Sequence, residues 1–332
     1  MIKTLLVDGN NLLKIGFHGV KDFYHSGKHI GGVWHFINTL RRFIESENFD
    51  KVVVFWDGQD NISQRKILYP QYKEKRRRPD EVVENSFNEQ KERIRQYLEE
   101  LFIRQVLIEN DEADDLIAYY CQISPDESKT IFSGDRDLTQ LISENVRIYL
   151  PDTKQYYKKG DKIKLKEIEI PHFNIMTYKV IAGDKSDNID GIYYLGPKTI
   201  EKLFPELLES EMSVNDILTR TEELHKDDKD NKILQNILSG KSKGGVFGEE
   251  FYTINEKIVN LSNPLISEDG KNLVKEYYSE TLDPDGRGHR NVIKMMMEDG
   301  FFKFLPKGDN NWVNFLTPFL KLTRKEKRKF KK

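Results

Sequence analysis

Nine acidic side chains have the types and the spacing that phosphate chemistry requires. They occur at five places along the chain, as Asp8, Asp57, Glu112, Asp114, Asp115, Asp135, Asp137, Asp184 and Asp187. Carboxylates that converge without a cation repel one another and raise their own pKa values. Oxygen ligands of this kind suit Mg²⁺ or Mn²⁺ rather than zinc. Two ions ~3.5–4 Å apart can activate a water and stabilise the leaving oxygen of a phosphoryl displacement, so the pattern predicts metal-assisted hydrolysis.

The elements that must position these acids are short apolar runs. Five runs are predicted strands, at residues 2–7, 52–56, 105–108, 130–132 and 146–150. Helical patterns between them predict an α/β fold with a parallel sheet covered on both faces. The first four strands each lead into acids, and ligands bind outside the carboxyl ends of such strands. A single Asp is more often a helix cap or a turn residue, but acids at four strand ends favour one common site.

Asp184 and Asp187 lie beyond that alternation and are three residues apart. This spacing predicts two side chains on one face of a helical turn. After Pro171 the pattern becomes mostly helical, and residues 225–250, rich in Lys, Asp and Gly, are expected to form a mobile loop. We therefore divide the chain into a core at residues 1–175 and a helical region at residues 176–332.

Residues 60–104 separate two strands without a strand of their own, and an insertion this long is usually functional or disordered. It is basic, since residues 65–78 hold seven Lys or Arg and one Glu, and the tail at 321–332 holds eight and one. The whole chain has a net charge of −2, so basic segments beside an acidic remainder suggest a phosphate-rich partner. The alternative is that each charge run is a solvated surface. A helix is predicted to begin at Pro79-Asp80.

The composition limits the cellular compartment in which the protein is expected. No run of 18 or more apolar residues occurs, so a membrane span is not expected. The N-terminus lacks the apolar stretch of a secretory signal. Cys121 is the only cysteine, which excludes an intrachain disulfide and a thiolate zinc site. A reducing, cytoplasmic setting is the expectation.

Six short motifs match a known nuclease family, in the family's order. They are Val7-Asp8-Gly9-Asn10-Asn11, Phe55-Trp56-Asp57-Gly58, Tyr69-Pro70-Gln71-Tyr72-Lys73, Glu112-Ala113-Asp114-Asp115, Ser133-Gly134-Asp135-Arg136-Asp137 and Gly183-Asp184-Lys185-Ser186-Asp187-Asn188-Ile189. Through them the chain resembles the flap endonuclease and 5′-3′ exonuclease family, and it looks most like the T-even phage ribonuclease H branch of stand-alone nucleases. The resemblance implies a PIN-like nuclease core with a helical arch insertion, then a helical region containing a helix–three-turn–helix DNA-binding element.

The resemblance also assigns roles to the acids. A first Mg²⁺ would be surrounded by Asp8, Asp57, Glu112, Asp114 and Asp135. A second would be held by Asp137, Asp184 and Asp187, with Asp135 near both ions and Asp115 behind the ligands. Mn²⁺ would substitute for Mg²⁺. The family often holds K⁺ at the helix–three-turn–helix element, but Tyr194 stands where a glycine is expected, so the presence of that ion is left open.

Residues 60–100 would form the arch through which a 5′ single strand passes. At its base, the ring of Tyr72 would be free to stack on a nucleic-acid base, and Lys73 and Arg76 would face the scissile phosphate. Further DNA contacts are expected from two groups of residues, Arg65, Lys75, Arg77 and Arg78 in the arch, and Gly191, Gly196, Lys198 and Thr199 in the element at 180–205.

The function implied by the resemblance is that of a structure-specific 5′ nuclease that removes RNA or DNA flaps and primers in replication or repair. Its expected partners are branched or 5′-ended duplex DNA, RNA–DNA hybrids and a single-strand DNA-binding or other replication protein. We expect a monomer, in a bacterial or phage-infected cell. Two alternatives stay open. A PIN-type single-strand RNase would have fewer acids and no arch, and a junction-binding protein without catalysis would lack some of the acids.

Overall fold

The computed structural model describes residues 1–77, 79–244, 247–279, 287–305 and 311–329, with the backbone alone at 279 and 326–329. Its strands are β1 Ile2–Asp8, β2 Tyr24–His25, β3 Lys28–His29, β4 Lys51–Trp56, β5 Arg104–Leu107, β6 Glu127–Phe132, β7 Val146–Leu150, β8 Gln155–Tyr157, β9 Lys162–Leu165 and β10 Ile168–Pro171. Its first seven helices are α1 Gly9–Gly19, α2 Gly31–Glu47, α3 Ser63–Leu68, α4 Glu81–Glu100, α5 Ala113–Ile123, α6 Ile175–Ala182 and α7 Pro197–Leu203. The later helices are α8 Val214–Asp227, α9 Lys232–Leu238, α10 Gly248–Val259, α11 Glu268–Ser279, α12 His289–Glu298 and α13 Asn311–Lys329.

The central sheet has six strands in the order β5-β4-β1-β6-β7-β8. The first five are parallel, and only β8 at the edge is antiparallel. The five predicted strands are therefore confirmed. The sequence pattern placed the start of β6 too late, because buried Glu127 and Lys129 interrupt its apolar character.

The alternation of side chains along each strand divides the core into two halves. Leu5 and Val7 of β1 pack on one face, with helices α1, α2 and α4 and with the C-terminal helices α12 and α13. Leu6 packs on the other face, with α5 and with side chains from α6 to α11. Residues from beyond position 175 thus contribute to both halves. The division of the chain at 175 stays a prediction.

The insertion between β4 and β5 consists of α3, a series of turns and the 20-residue helix α4. Helix α4 begins where the sequence predicts, because the Asp80 carboxylate caps it by accepting from the backbone N–H of Val82 (2.9 Å). The long insertion is therefore largely helical.

The segment at 225–250 is more ordered than the expected mobile loop. Helix α8 extends to Asp227, and α9 follows after four residues. The side chain of Asn231 caps α9, and Leu234 and Ile237 are buried. The expectation failed because the polar composition obscured these two apolar positions, spaced one helical turn apart. Residues 245 and 246 lie outside the described residues.

Across the described ranges, none of the helices combines the length and the apolar character needed to cross a membrane.

Candidate metal centre and arch base

The carboxyl edge of the sheet brings the strand-end acids together. Asp8 closes β1 and also caps α1, since its carboxylate accepts from the backbone N–H of Asn11 (2.9 Å) and from the Ser133 hydroxyl (2.8 Å). Burial raises the pKa of Asp8 to about 7, and the charge of Asp57 adds to the rise. Asp8 therefore caps a helix, as a single Asp often does, and it also belongs to an acidic site.

Asp57 and Asp114 complete the same side of the site. Asp57 accepts from the Asn10 side-chain amide (2.8 Å) and from the backbone N–H of Ala113 (3.0 Å), so it fixes the start of α5. Burial raises the pKa of Asp114 well above its ordinary value, and the charges of Asp135 and Asp8 raise it further. Acids from β1, β4, α5 and the β6 end therefore act on one another, as expected from the sheet.

A second group consists of Asp137, Asp184 and Asp187, each of which offers an oxygen within 4.8 Å of the others. Burial raises the pKa of Asp137 to about 7. Asp184 and Asp187 do not lie on a helical turn as predicted. Backbone hydrogen bonds between Asp184 and Ile189 (2.9 and 2.8 Å) close a tight loop instead, because Gly183 (φ +74°) ends α6 just before it. The loop still places both carboxylates beside Asp137.

The turn that precedes the arch helix packs on this loop. The backbone N–H of Lys73 donates to the Asp187 carbonyl (2.8 Å), and the Asn188 side chain donates to the Gln71 carbonyl (2.7 Å). Lys73 adopts a left-handed backbone (φ +55°), which is uncommon for a side chain of this size and persists where surrounding structure enforces it. The arch base and the second acidic group are therefore mechanically joined.

The three residues predicted at the arch base all reach the site. The Lys73 ammonium pairs with Glu112, and the Arg76 guanidinium donates to Asp187 (2.6 Å). Although burial opposes it, the charges of Glu112 and Asp187 raise the pKa of Lys73, so its ammonium stays protonated. Half of the Arg76 side chain is exposed, against 13% for Lys73.

Tyr72 does not present its ring for stacking as expected. It is 3% exposed, and its hydroxyl donates to Glu112 and Asp187 (both 3.2 Å). The Lys73 ammonium lies 4.8 Å from the ring centre. That expectation is wrong because the ring is packed in the core, where it supports Lys73 and the two acids.

Arg65 is also placed differently from the prediction of a DNA contact. It is buried, and it pairs with Glu112 (2.6 Å) and Asp115 (2.5 Å) and donates to the Ile258 carbonyl (3.0 Å). Asp115 is fully buried and also accepts from the backbone N–H of Leu265 (3.0 Å). Arg65 is therefore an internal counter-charge, and Asp115 lies behind the site with both oxygens engaged.

The other predicted DNA contacts differ in exposure. Lys75, Arg77 and Lys198 are exposed, and Gly196 and Thr199 are partly so. Gly191 is buried, and a Cβ there would lie 2.1 Å from the Ala182 carbonyl oxygen, so it provides close packing instead of a phosphate contact. Arg78 lies outside the described residues.

Tyr194, at a position where the resemblance implies a glycine, has a left-handed backbone conformation. Its φ is +65°, and its side chain is 63% exposed. Tyr193 beside it is also exposed, and its backbone N–H donates to the Lys241 carbonyl (2.9 Å). The loop that the sequence assigns to duplex binding therefore presents two exposed tyrosines. It lies beside residues 241–243.

Two lysines near the acids escaped the sequence analysis. Lys179 of α6 pairs with Asp184 (2.6 Å) and with Asp137. Lys91 of the arch helix donates to the backbone carbonyl of Asp57 (2.8 Å), and burial lowers its pKa. The sequence does mark Lys179, because it is a single lysine in the otherwise apolar run 178–182. Lys91 stands among many charged residues, and nothing in the sequence distinguishes it from them.

The acids suit a divalent ion on chemical grounds. The eight acids other than Asp115 offer hard oxygen donors, and Glu112, Asp114, Asp135, Asp137 and Asp187 line one cavity of about 30 Å³. Burial, together with the charges of neighbouring carboxylates, raises the pKa values of Asp8, Asp114 and Asp137, so a bound cation would stabilise their charged forms. A parallel sheet with this acidic cluster at its carboxyl edge is the arrangement expected of a metal-dependent nuclease.

Comparisons with known proteins identify the family. The family model for the 5′-3′ exonuclease N-terminal resolvase-like domain matches residues 3–168. A 5′-3′ exonuclease of Halalkalibacterium halodurans is 30% identical over 278 residues, which cover 78% of this chain and 86% of that protein. The chain belongs to the 5′-3′ exonuclease family, as its motifs predict.

Longer relatives and a solved structure complete the comparison. DNA polymerase I of Caldicellulosiruptor bescii is 27% identical over 62% of this chain, and the match spans 24% of that protein. The chain thus matches about a quarter of the polymerase relative and most of the stand-alone exonuclease. A structure of T5 5′-exonuclease with divalent metal ions (zinc) bound shares the fold, with a TM-score of 0.62, 18% identity and coverage of 97% and 99% of the two chains.

Proposed function

We propose that this chain hydrolyses phosphodiester bonds at branched or 5′-ended duplex DNA and leaves a 5′-phosphate, using two Mg²⁺ ions for which Mn²⁺ can substitute. The observation that carries the proposal is the convergence of acids from four strand ends and one loop beside a buried lysine–tyrosine pair. Such an arrangement has no evident use in folding, because buried carboxylates that repel one another destabilise the fold.

The acids would divide between the ions by their positions. Asp8, Asp57, Asp114 and Asp135 would hold the first, and Asp137, Asp184 and Asp187 the second, with Asp135 near both. Glu112 would contact the first ion while Arg65, Tyr72 and Lys73 hold its carboxylate in place. When bound, a pair of such ions supplies an activated water and stabilises the leaving oxygen.

The arch-base cations would act on the phosphate. Lys73 borders the cavity with Asp114 and Asp135, so its ammonium is held where charge would develop on the scissile phosphate. A cation fixed in a buried site stabilises such charge more than a mobile surface cation does. Arg76 would act at the rim, since its guanidinium is bound to Asp187 but half exposed.

Selection of branched substrates would come from two elements around the centre. Helix α4 and the exposed Lys75 and Arg77 would guide the 5′ strand, and the 180–205 element would grip the duplex through Gly196, Lys198 and Thr199. The left-handed backbone of Tyr194 supports retention of the loop shape, and we include K⁺ there as part of the proposal. We also propose that the protein acts on RNA–DNA hybrids, is a monomer and is located in the cytoplasm.

A panel of 5′-labelled flap, nick, gap and RNA–DNA hybrid substrates, with and without Mg²⁺, tests the proposal. We expect cleavage near the flap junction only with a divalent ion. Cleavage of single-stranded RNA with no preference for junctions would favour a PIN-type RNase instead. Junction binding with no cleavage under any ion would favour a binding protein without catalysis. Omitting K⁺ should weaken duplex binding without changing the rate at saturating enzyme.

A further inference from the structure

The second acidic group already contains a cation that belongs to the chain. Lys179 is 9% exposed, and its ammonium lies between Asp137 and Asp184, 2.6 Å from the Asp184 carboxylate. It extends from α6, whose other side chains at 178, 180 and 181 are buried. The fold therefore holds this lysine in a fixed place, directly against two of the three carboxylates expected to bind the second ion.

The first acidic group is different. Among the described residues, the ion pairs of the molecule do not include Asp8, Asp57, Asp114 or Asp135. Lys91 donates to the backbone carbonyl of Asp57, and its charge also interacts with the Asp57 carboxylate without a direct ion pair. Lys179 and Arg76 pair directly with all three acids of the second group, whereas the cations beside the first group, Arg65 and Lys73, pair with Glu112.

We propose that Lys179 is an internal counter-ion that holds the second-ion carboxylates together and must be released before that ion can bind. This rests on the proposed function. Its consequence is an ordered site, in which the first ion binds tightly and the second binds weakly because it competes with Lys179. Lys179 is thus a positioning residue that sets the affinity of the second ion.

The positions of the charges predict how the loss of Lys179 changes the affinity for the second ion. A divalent cation held by the same two carboxylates would lie a few ångströms from the ammonium, and repulsion between charges at that distance is strong in a partly buried site. Replacing Lys179 by methionine keeps the length of the side chain but removes its charge. We expect the weaker Mn²⁺ site to tighten at least ~10-fold, with no change in the number of sites.

The test is Mn²⁺ binding to the free protein, measured by electron paramagnetic resonance and calorimetry without DNA. Wild type should show two sites of unequal affinity, and Lys179→Met should bring them closer together. Lys179→Arg keeps the charge and should stay within ~3-fold of wild type. Lys232→Met, at an exposed lysine of α9, is the matched control and should change nothing. Unchanged or weaker Mn²⁺ binding in Lys179→Met overturns the proposal.

A second measurement uses the wild-type protein and so does not depend on the variant folding. Reductive methylation followed by mass spectrometry reports the reactivity of each lysine. Saturating Mn²⁺ should increase labelling of Lys179 relative to Lys232, because the released ammonium loses its two carboxylate partners. Equal labelling with and without Mn²⁺ would contradict release. Neither readout involves cleavage, so failure of the nuclease assay would not be mistaken for failure of this inference.

Discussion

Replacing Lys73 by alanine tests the arch base most sharply. The ammonium pairs with Glu112, is 13% exposed and borders the cavity that Asp114 and Asp135 also line. Arg77, four residues on, is exposed and serves as the matched control. Removing Lys73 leaves Glu112 bonded to Arg65 and Tyr72, so we expect the fold to survive the change.

The size of the expected rate loss follows from the position of the Lys73 charge. A preorganised donor aimed at developing charge in a buried site contributes ~3–4 kcal/mol, and each ~1.4 kcal/mol changes a rate tenfold. Lys73→Ala should therefore lower the single-turnover rate by ~100-fold or more. Arg76→Ala should have a smaller effect, ~10-fold, because solvent screens its half-exposed guanidinium. Arg77→Ala should raise the dissociation constant and leave the rate unchanged.

Single-turnover cleavage of a 5′-flap substrate at saturating enzyme separates the chemical step from binding. Thermal melting and circular dichroism of each variant show whether it is folded. The assignment of Lys73 fails if a folded Lys73→Ala variant cleaves at the wild-type rate once enzyme is saturating. In that case the run from 73 to 77 is a general surface for gripping DNA.

Three further predictions follow from the same contacts. The folded pKa values of about 7 for Asp8 and Asp137 exceed their ordinary values, so their protonated forms favour folding at low pH and this contribution is lost as pH rises through about 7. Mg²⁺ should therefore raise the melting temperature more at pH 8 than at pH 6, and an equal rise would argue against burial of these acids. Arg65→Met should lower the free energy of unfolding in urea by ~3–5 kcal/mol, since it leaves two buried carboxylates without their counter-charge; a change under ~1 kcal/mol would contradict that role. Deleting residues 326–332, the last part of the basic tail, should weaken DNA binding only at low salt and leave the rate at saturating enzyme unchanged, and a slower rate would place this part of the tail at the active site.

The reason for the last expectation is the position of α13. Lys325 donates to the carbonyls of Asn48 and Phe49 (both 3.0 Å) and pairs with Asp50. These residues precede β4, whose six residues separate them from Asp57 by ~20 Å at the usual rise per residue. The helix that leads into the tail therefore packs at the edge of the sheet opposite the acids. A role for the tail in DNA binding stays a prediction.

The parts of the fold that depend on local pattern could be predicted from the sequence. The parallel strands show as short apolar runs, and an acid after each of four runs locates the site because parallel strands end at one edge. Asp80 marks the start of the arch helix by its capping chemistry. The family motifs then add the arch and the helical region, although the finer likeness to the T-even phage branch stays a prediction.

The parts that depend on packing between distant segments could not be predicted. Arg65 and Lys75 are alike in a basic run, yet only Arg65 meets two buried carboxylates 47 and 50 residues away. Tyr72 suggested a stacking ring until its hydroxyl was placed between Glu112 and Asp187. The role of Lys179 likewise depends on a loop that follows it and an acid 42 residues before it, and neither contact is visible in periodicity.

The most direct test of the metal-dependent nuclease is cleavage of a labelled 5′-flap substrate by wild type and Asp135→Asn, each with Mg²⁺ and with a chelator. Asp135 accepts from the backbone N–H of Asp137 (2.9 Å) and its charge acts on Asp114 and Asp137, so it joins the two acidic groups. We expect wild type to cut near the junction only with Mg²⁺, and Asp135→Asn to bind the flap with near-normal affinity but to retain less than about a tenth of the rate, because an amide cannot supply the charge that both ions need. Cleavage by wild type in the chelator, or by Asp135→Asn at more than that rate, would contradict the two-ion centre.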